Sequence, residues 1–367
     1  MTPPVDDQDV QVLQGGDPGL SSLLTDWDRL HTDHPTSSPF QSASWAGAYC
    51  RSYGTDDAVT FASRRAGALE GAAMFRSTRR GAAKVLTSAP VNVSDFSDVV
   101  LNRSEEAASG LVQSLLSADW DIADFREVPP SADLWRMLPS WPGRALRLPA
   151  SQCVVMNGQS LEDYAADLPR IKRKQLGQRQ RKIARAGVTS VLAEGDPEAA
   201  VSRLLSLHQA SWAGRPMNPE HATTRFHDLL VETMQSLAPR RQAFIVEFHQ
   251  HGQVLGSALY LVGPQYVGNY LTGYHPDLRD QVPLHVLDSV AGFELVADLG
   301  LTQLHLLRGA EDYKLRMSGV VEKNERVLLL RPGSAPGLAV GLGILGRRRA
   351  ATLVHKGQRQ LSAWTRR

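Results

Sequence analysis

Hydrophobic positions along the chain follow two periods. Short runs with alternate residues apolar, bounded by Gly, Pro or Asn, predict strands, and stretches with apolar residues three and four apart predict helices. Residues 1–35 are acidic and punctuated by Gly and Pro, which predicts a loose lead-in and then a short helix. After Pro39, Ser42 or Ser44 is placed to cap a helix that carries Trp45, Tyr49 and Tyr53 at four-residue spacing, a stripe that reads first as core. A meander follows at 59–63, 68–76 and 84–87, with turns at Arg65-Ala66-Gly67 and near Gly81. Beyond the loop 89–98 come a helix at 104–117, an alternating run at 120–125, a short helix at 131–138 and a strand at 146–156.

The second part of the chain repeats this order. Helices at 161–186, 197–212 and 219–237 lead to strands at 242–248, 254–262 and 266–273. A loop at 274–282 precedes a helix at 283–299 stopped by Gly300, then a strand at 301–307, a helix at 310–317 and a strand at 320–330. Each half reads meander, loop, helix, strand, helix, strand, which predicts a duplicated α+β unit. At about 150 residues per domain, a chain of 367 residues accommodates two.

Composition changes this picture little. With 42% hydrophobic and 21% charged residues the chain is of ordinary globular make-up, and a net charge of +2 excludes a uniformly basic nucleic-acid coat while leaving room for local patches. Cys50 and Cys153 stand far apart without a CxxC pair, so neither a disulfide framework nor a thiolate zinc site is expected. The N-terminal residues lack the basic and apolar regions of a secretory signal, and a cytoplasmic location is expected. Residues 248–276 hold no charged side chain, but Gly256, Gly263-Pro264 and Gly268 break them into neighbouring strands rather than a membrane span.

Absent motifs remove several enzyme classes: there is no GxxxxGK[ST], GxSxG, HExxH or EF-hand loop. Gly341–Gly346 matches GxGxxG, yet too little chain follows for a βαβ unit and no acid occurs after Glu325. His249 and His251 fall at a hairpin tip without a third ligand, and no metal site is expected. The informative segment is 304–314, Leu-His-Leu-Leu-Arg-Gly-Ala-Glu-Asp-Tyr-Lys, where an apolar strand runs into a charge-dense turn and short helix. Strand ends are where such sheets build sites. Arg308 is suited to hold a carboxylate or phosphate, Glu311 to accept a proton from an amine, and Tyr313 or Lys314 to donate one. The plainer reading is a capped helix with solvated charges.

This same stretch, Leu306 to Lys314, resembles the D-L-L-R-G-x-E-x-Y-K signature of the FemAB-like, CelD-type branch of the GNAT acyltransferase superfamily. Pro39-Phe40-Gln41 through Trp45 is similar to that branch's opening PF-Q-x-x-W, and Ser94-Asp95-Phe96-Ser97-Asp98 resembles its S-D-Y-x-D loop. The basic helix and Tyr270-Leu271-Thr272-Gly273-Tyr274 also fit, so the resemblance spans residues 38–331. His305 stands where the family has Asp, and Asp280 to Leu284 replaces its Ser-Pro-Gly.

The resemblance implies tandem GNAT-like domains, each a mixed twisted sheet flanked by helices: a lead-in at 1–37, domains at 38–157 and 158–332, and a basic tail at 333–367. It implies an N-acyltransferase that moves an acyl group from acyl-CoA to an amine of a sugar or small metabolite, with no bound cofactor. Glu311 is the expected general base, backed by His305 and Asp95. Arg308, Tyr313, Lys314, Tyr274, Tyr270 and Trp45 are the expected substrate contacts, and backbone N–H groups near Gly273 the oxyanion donors. The loop 278–284 lacks the glycines that usually cradle CoA pyrophosphate, so an aminoacyl-tRNA donor is the second reading and an inactive GNAT-like binding protein the third. Eight cations between Arg170 and Arg185, with no acid from 168 to 193, are the candidate phosphate contacts of the donor, Arg173, Lys174, Arg181 and Lys182 foremost; a solvated helix face is the plainer account. Arg347, Arg348 and Arg349 follow an apolar 337–346, which raises peripheral membrane contact, with packing on the second domain preferred. Oligomeric state is not legible.

Overall fold

The computed structural model describes residues 8–309 and 311–347. In chain order, β1 (Gln8–Gln14), α1 (Gly19–Thr32) and α2 (Ala43–Tyr53) precede the meander β2 (Ala58–Arg65), β3 (Ala68–Arg80) and β4 (Ala83–Ser88). Then come β5 (Val100–Leu101), α3 (Glu106–Ser117), β6 (Ile122–Val128), α4 (Leu134–Met137) and β7 (Arg144–Asn157). The second half runs α5 (Leu161–Ala166), α6 (Arg170–Arg185), β8 (Thr189–Leu192), α7 (Pro197–Trp212), α8 (Thr224–Leu237), β9 (Ala243–Gln250), β10 (Gln253–Val262) and β11 (Tyr266–Tyr274). It continues through α9 (Pro276–Gln281), α10 (Leu284–Asp298), β12 (Gln303–Arg308), α11 (Asp312–Arg316) and β13 (Val320–Leu330). A last helix, α12, is described over 335–347.

Among the described residues the strands form one sheet, in the order β1-β2-β3-β4-β6-β13-β7-β12-β11-β10-β9-β8, with β5 beside β3. Two meanders flank its centre. Each ends in a parallel pair, β4 with β6 and β11 with β12, and every other pairing is antiparallel. This is the α+β architecture of two GNAT-like units. At the centre the halves trade strands. The last strand of the first half, β7, pairs with β12 of the second, while β13, the last strand of the second half, lies between β6 and β7. The sheet thus runs through the boundary expected at residue 157.

Two edge strands were not legible. Gln8–Gln14 pairs with β2 from Gln8↔Arg65 to Gln14↔Val59, where a loose lead-in was expected, and β8 extends the other edge beside β9. Both are rich in polar residues because an edge strand has a wet side and needs no continuous apolar face. One apolar cluster joins the halves: Phe40, Trp45, Tyr49 and Phe96 from the first pack with Leu204, Phe226, Leu229 and Leu230 from the second. Cys50 and Cys153 are buried free thiols. No helix among the described residues is long and apolar enough to cross a membrane.

Candidate active site

Strands β11 and β12 are paired only over Tyr266–Gly268 against Gln303–His305, and then diverge. The divergence has a local cause in β12. Its register against β7 shifts between His305 and Arg308, and Leu307 takes φ +50°, so the strand bulges away from β11. His305 braces this bend: its Nδ1 accepts the Leu307 N–H at 2.9 Å.

On the other side, α7 covers the freed edge of β11 with side chains in place of a strand. The His208 imidazole Nδ1–H donates to the Thr272 carbonyl at 2.7 Å, and one turn later Ser211 Oγ accepts the Tyr274 N–H at 2.6 Å and donates to the Tyr274 carbonyl at 2.9 Å. The helix lies this close because residue 273 is Gly; a Cβ there would stand 2.2 Å from the His208 nitrogen. In a strand the N–H and C=O of one residue point to the same edge. The Thr272 N–H therefore faces the opening.

Between the diverging strands lies a cavity of about 190 Å³. Thr272 and Tyr270 line one wall, Arg308, Glu311, Tyr313 and Lys314 the opposite wall, and His208, Trp212 and His221 one end. Asn92, Val93 and Asp95 enter from the first half. Asp95 accepts the Arg308 N–H at 3.2 Å and faces its guanidinium at 3.4 Å. Burial pushes the Asp95 carboxyl up, and Arg308 opposes that rise. Lys314, itself buried, donates to the Arg308 carbonyl at 3.0 Å and stands 3.1 Å from the Glu311 carboxylate. Glu311 folds back over Gly309, where any Cβ would lie 2.6 Å from its carboxylate oxygen. Tyr313 has its phenol pKa raised, first by burial and then by Glu311 and Asp288.

A pair of histidines that the sequence reading passed over completes the end wall. His208 donates from Nδ1, so its neutral ring offers Nε2 as an acceptor, 3.1 Å from His221 Nδ1. His221 Nε2 in turn accepts from the Asn218 amide at 3.2 Å. One set of tautomers satisfies the whole chain from Asn218 to Thr272. Burial lowers the pKa of both rings, that of His221 to about 3, with His208 and Arg308 adding to the depression. The sequence signal was present: His208 and Ser211 continue the buried stripe Val201, Leu204, Leu205 of α7, polar residues on an apolar face.

Of the expected residues, Glu311, Asp95, Arg308, Tyr313, Lys314 and Tyr270 meet at this cavity. The others do not line it. His305 is buried between Phe96 and Tyr266 with its Nε2 toward Glu322 at 3.8 Å, and it shapes the bulge. Tyr274 turns its hydroxyl to Asp288, whose carboxyl burial pushes up to about 7. Trp45 is fully buried and donates to Ser94 Oγ at 2.9 Å, which anchors the loop that carries Asp95. Arg173, Lys174, Arg181 and Lys182 are exposed on α6, and Arg173 is spent on the carbonyls of Ala166 and Leu168. Only Arg179 reaches toward the site, 3.3 Å from His285 in the first turn of α10; that ring lies 6.0 Å from Tyr313.

Comparison with known proteins bears on the fold that carries this cavity. A sequence family described as an acetyltransferase (GNAT) domain matches residues 170–315. No curated protein sequence matches the chain. Among solved structures, FemX superposes with a TM-score of 0.61 at 11% identity, covering 84% of this chain and 96% of its own. L-PGS from Bacillus licheniformis superposes with a TM-score of 0.55 at 11% identity, covering 91% and 98%. Residues 170–315 are thus similar to the GNAT acetyltransferase domain family, and most of the chain shares the fold of FemX and L-PGS.

Proposed function

We propose that the chain transfers an acyl group from acyl-CoA to the amine of a sugar or small metabolite, in the cleft between β11 and β12. The observation that carries this reading is the convergence of a strand-edge N–H (Thr272), a carboxylate (Glu311) and a proton-bearing phenol (Tyr313) on one cavity. A neutral amine attacks the thioester carbonyl, a C–N bond forms, and the carbonyl oxygen becomes an oxyanion that the Thr272 N–H is oriented to receive. Glu311 takes the proton from the attacking nitrogen. The C–S bond then breaks, and the thiolate takes a proton from Tyr313. Arg308, held by Asp95, offers its guanidinium to an anionic group of either substrate.

The first turn of α10, beside Arg179 and His285, is the natural berth for the donor phosphates, because helix N-termini favour anions. The exposed cations of α6 favour a second reading in which the donor is an aminoacyl-tRNA. A titration separates the two. Acetyl-CoA or a longer acyl-CoA at about 100 times its dissociation constant stabilises the fold by about 2.7 kcal/mol. If none of them shifts the thermal midpoint while aminoacyl-tRNA does, the acyl-CoA reading falls. Glu311→Gln is expected to lower turnover about 100-fold or more and to leave donor-induced stabilisation unchanged; undiminished turnover removes Glu311 from the role of base.

A further inference from the structure

Helix α12 is apolar on every side, yet one side is open to solvent. Its inner face packs on the sheet: Val340, Ile344 and Leu345 lie against Ile122, Leu328 and Leu330. Gly337 and Gly341 bring it close, since a Cβ at Gly337 would stand 2.3 Å from the Asp121 carbonyl oxygen. The outer face before Arg347 consists of Ala335, Leu338, Ala339, Leu342, Gly343 and Gly346, all exposed, Leu342 by 56%. A surface helix ordinarily turns charged residues outward, and one that is apolar all round belongs under a cover.

The surroundings say what the cover is. Beside α12 runs an open groove of about 850 Å³ lined by Arg80, Arg126, Arg326, Arg347 and Ile344. Asp124 pairs with Arg326 and Arg126 from behind, while Arg80 and Arg347 have no ion partner among the described residues. Of four guanidiniums lining the groove, two share one carboxylate and two are left without one among the described residues. The sequence sustains this bias, because no acid follows Glu325 and residues 348–367 add Arg348, Arg349, Lys356, Arg359, Arg366 and Arg367. An apolar strip flanked by cations matches a surface of anionic lipid headgroups over acyl chains. A nucleic acid or free polyanion would leave the leucines uncovered, and a second copy of the chain would set arginines against arginines.

We propose that α12 and the arginine groove dock the protein on anionic lipid bilayers, with Leu338 and Leu342 entering the acyl boundary and Arg80 and Arg347 contacting lipid phosphates. This binding is independent of the transferase reading, and its test measures no turnover. The full chain is floated with vesicles of phosphatidylcholine alone and of phosphatidylcholine with about 30% phosphatidylglycerol. Binding is expected to the second only, and to weaken as salt rises. Arg80→Ser with Arg347→Ser should lower it about five-fold for each charge removed, and Leu338→Ser with Leu342→Ser about ten-fold or more. Thermal midpoints of both variants verify folding, since all four side chains face outward. Binding to neither vesicle, equal binding to both, or loss through the arginine pair alone with the leucine pair indifferent would each overturn the proposal. So would a dimer of the free chain that the leucine pair abolishes, because a second copy would then be the cover.

Discussion

At the scale of single residues, the end wall of the cavity depends on two imidazoles staying neutral. His221 can accept from Asn218 and donate to His208 only as the neutral tautomer, and a proton on either ring breaks the chain that ends at the Thr272 carbonyl. The pKa of His221 falls to about 3 in the fold from an ordinary 6.5. The unfolded chain therefore binds a proton between those values that the folded chain does not. Stability from this group is fully present above pH 6.5 and is lost progressively as pH falls toward 3, with a limiting slope of about 1.4 kcal/mol per pH unit. Asp98 and Asp288, raised to about 8 and about 7, act in the opposite direction. The informative measurement is therefore the difference between parent and His221→Gln in unfolding free energy from pH 7 to pH 4. That difference should shrink on acidification; a constant difference would show that His221 takes up its proton alike in the folded and unfolded chain. These residues were the least legible part of the site, because partners so far apart along the chain leave no motif. Arg308, Glu311 and Lys314 were legible because one short turn carries all three.

At the scale of elements, the opening depends on a helix replacing a strand. Helix α7 satisfies the edge of β11 through His208 and Ser211, and it reaches that edge only over Gly273. Gly273→Ala forces α7 outward or β11 to buckle, since the new methyl would meet backbone at 2.2 Å. Overpacking of this kind costs about 3 kcal/mol, and here it also turns the Thr272 carbonyl away from His208. Chemical denaturation should report the stability loss, and turnover should fall by more than the unfolded fraction explains. A variant with wild-type stability would mean that α7 sits farther from the strand. Helix α7 itself was legible to the residue, from Pro197 to Trp212, because its cap and apolar spacing are strong. The edge strands β1 and β8 were not, because a half-wet strand carries no sharp alternation. The divergence of β11 from β12 was invisible for another reason: it arises from a positive φ at Leu307, a residue type that rarely takes one.

At the scale of the whole molecule, the duplicated order of elements was legible, and the exchange of β7 and β13 was not. Nothing in either strand's own sequence names its neighbour. Their long pairing, from Val320↔Val155 to Leu330↔Arg144, together with β13 on β6 and β7 on β12, makes each half incomplete alone. Residues 1–157 expressed without the rest would leave β6 without β13 and β7 without β12 as well as β13, edges prone to aggregation. The intact chain is expected to unfold in urea as one transition that overlays in tryptophan fluorescence and far-ultraviolet circular dichroism; two resolved transitions would contradict it. The exchange also limits how the cavity can change shape. A cleft at the junction of two lobes commonly opens by hinging, but these lobes are stitched through their sheet and cannot part without breaking strand pairs. The short segment between α7 and α8, which carries Asn218, Glu220 and His221, is tied to the first half by side-chain hydrogen bonds, Asn218 to the Asn92 carbonyl and Tyr53 to Glu220, rather than by strand pairs. That tie and the histidine chain are one object, so displacing the segment would also undo the end wall of the cavity.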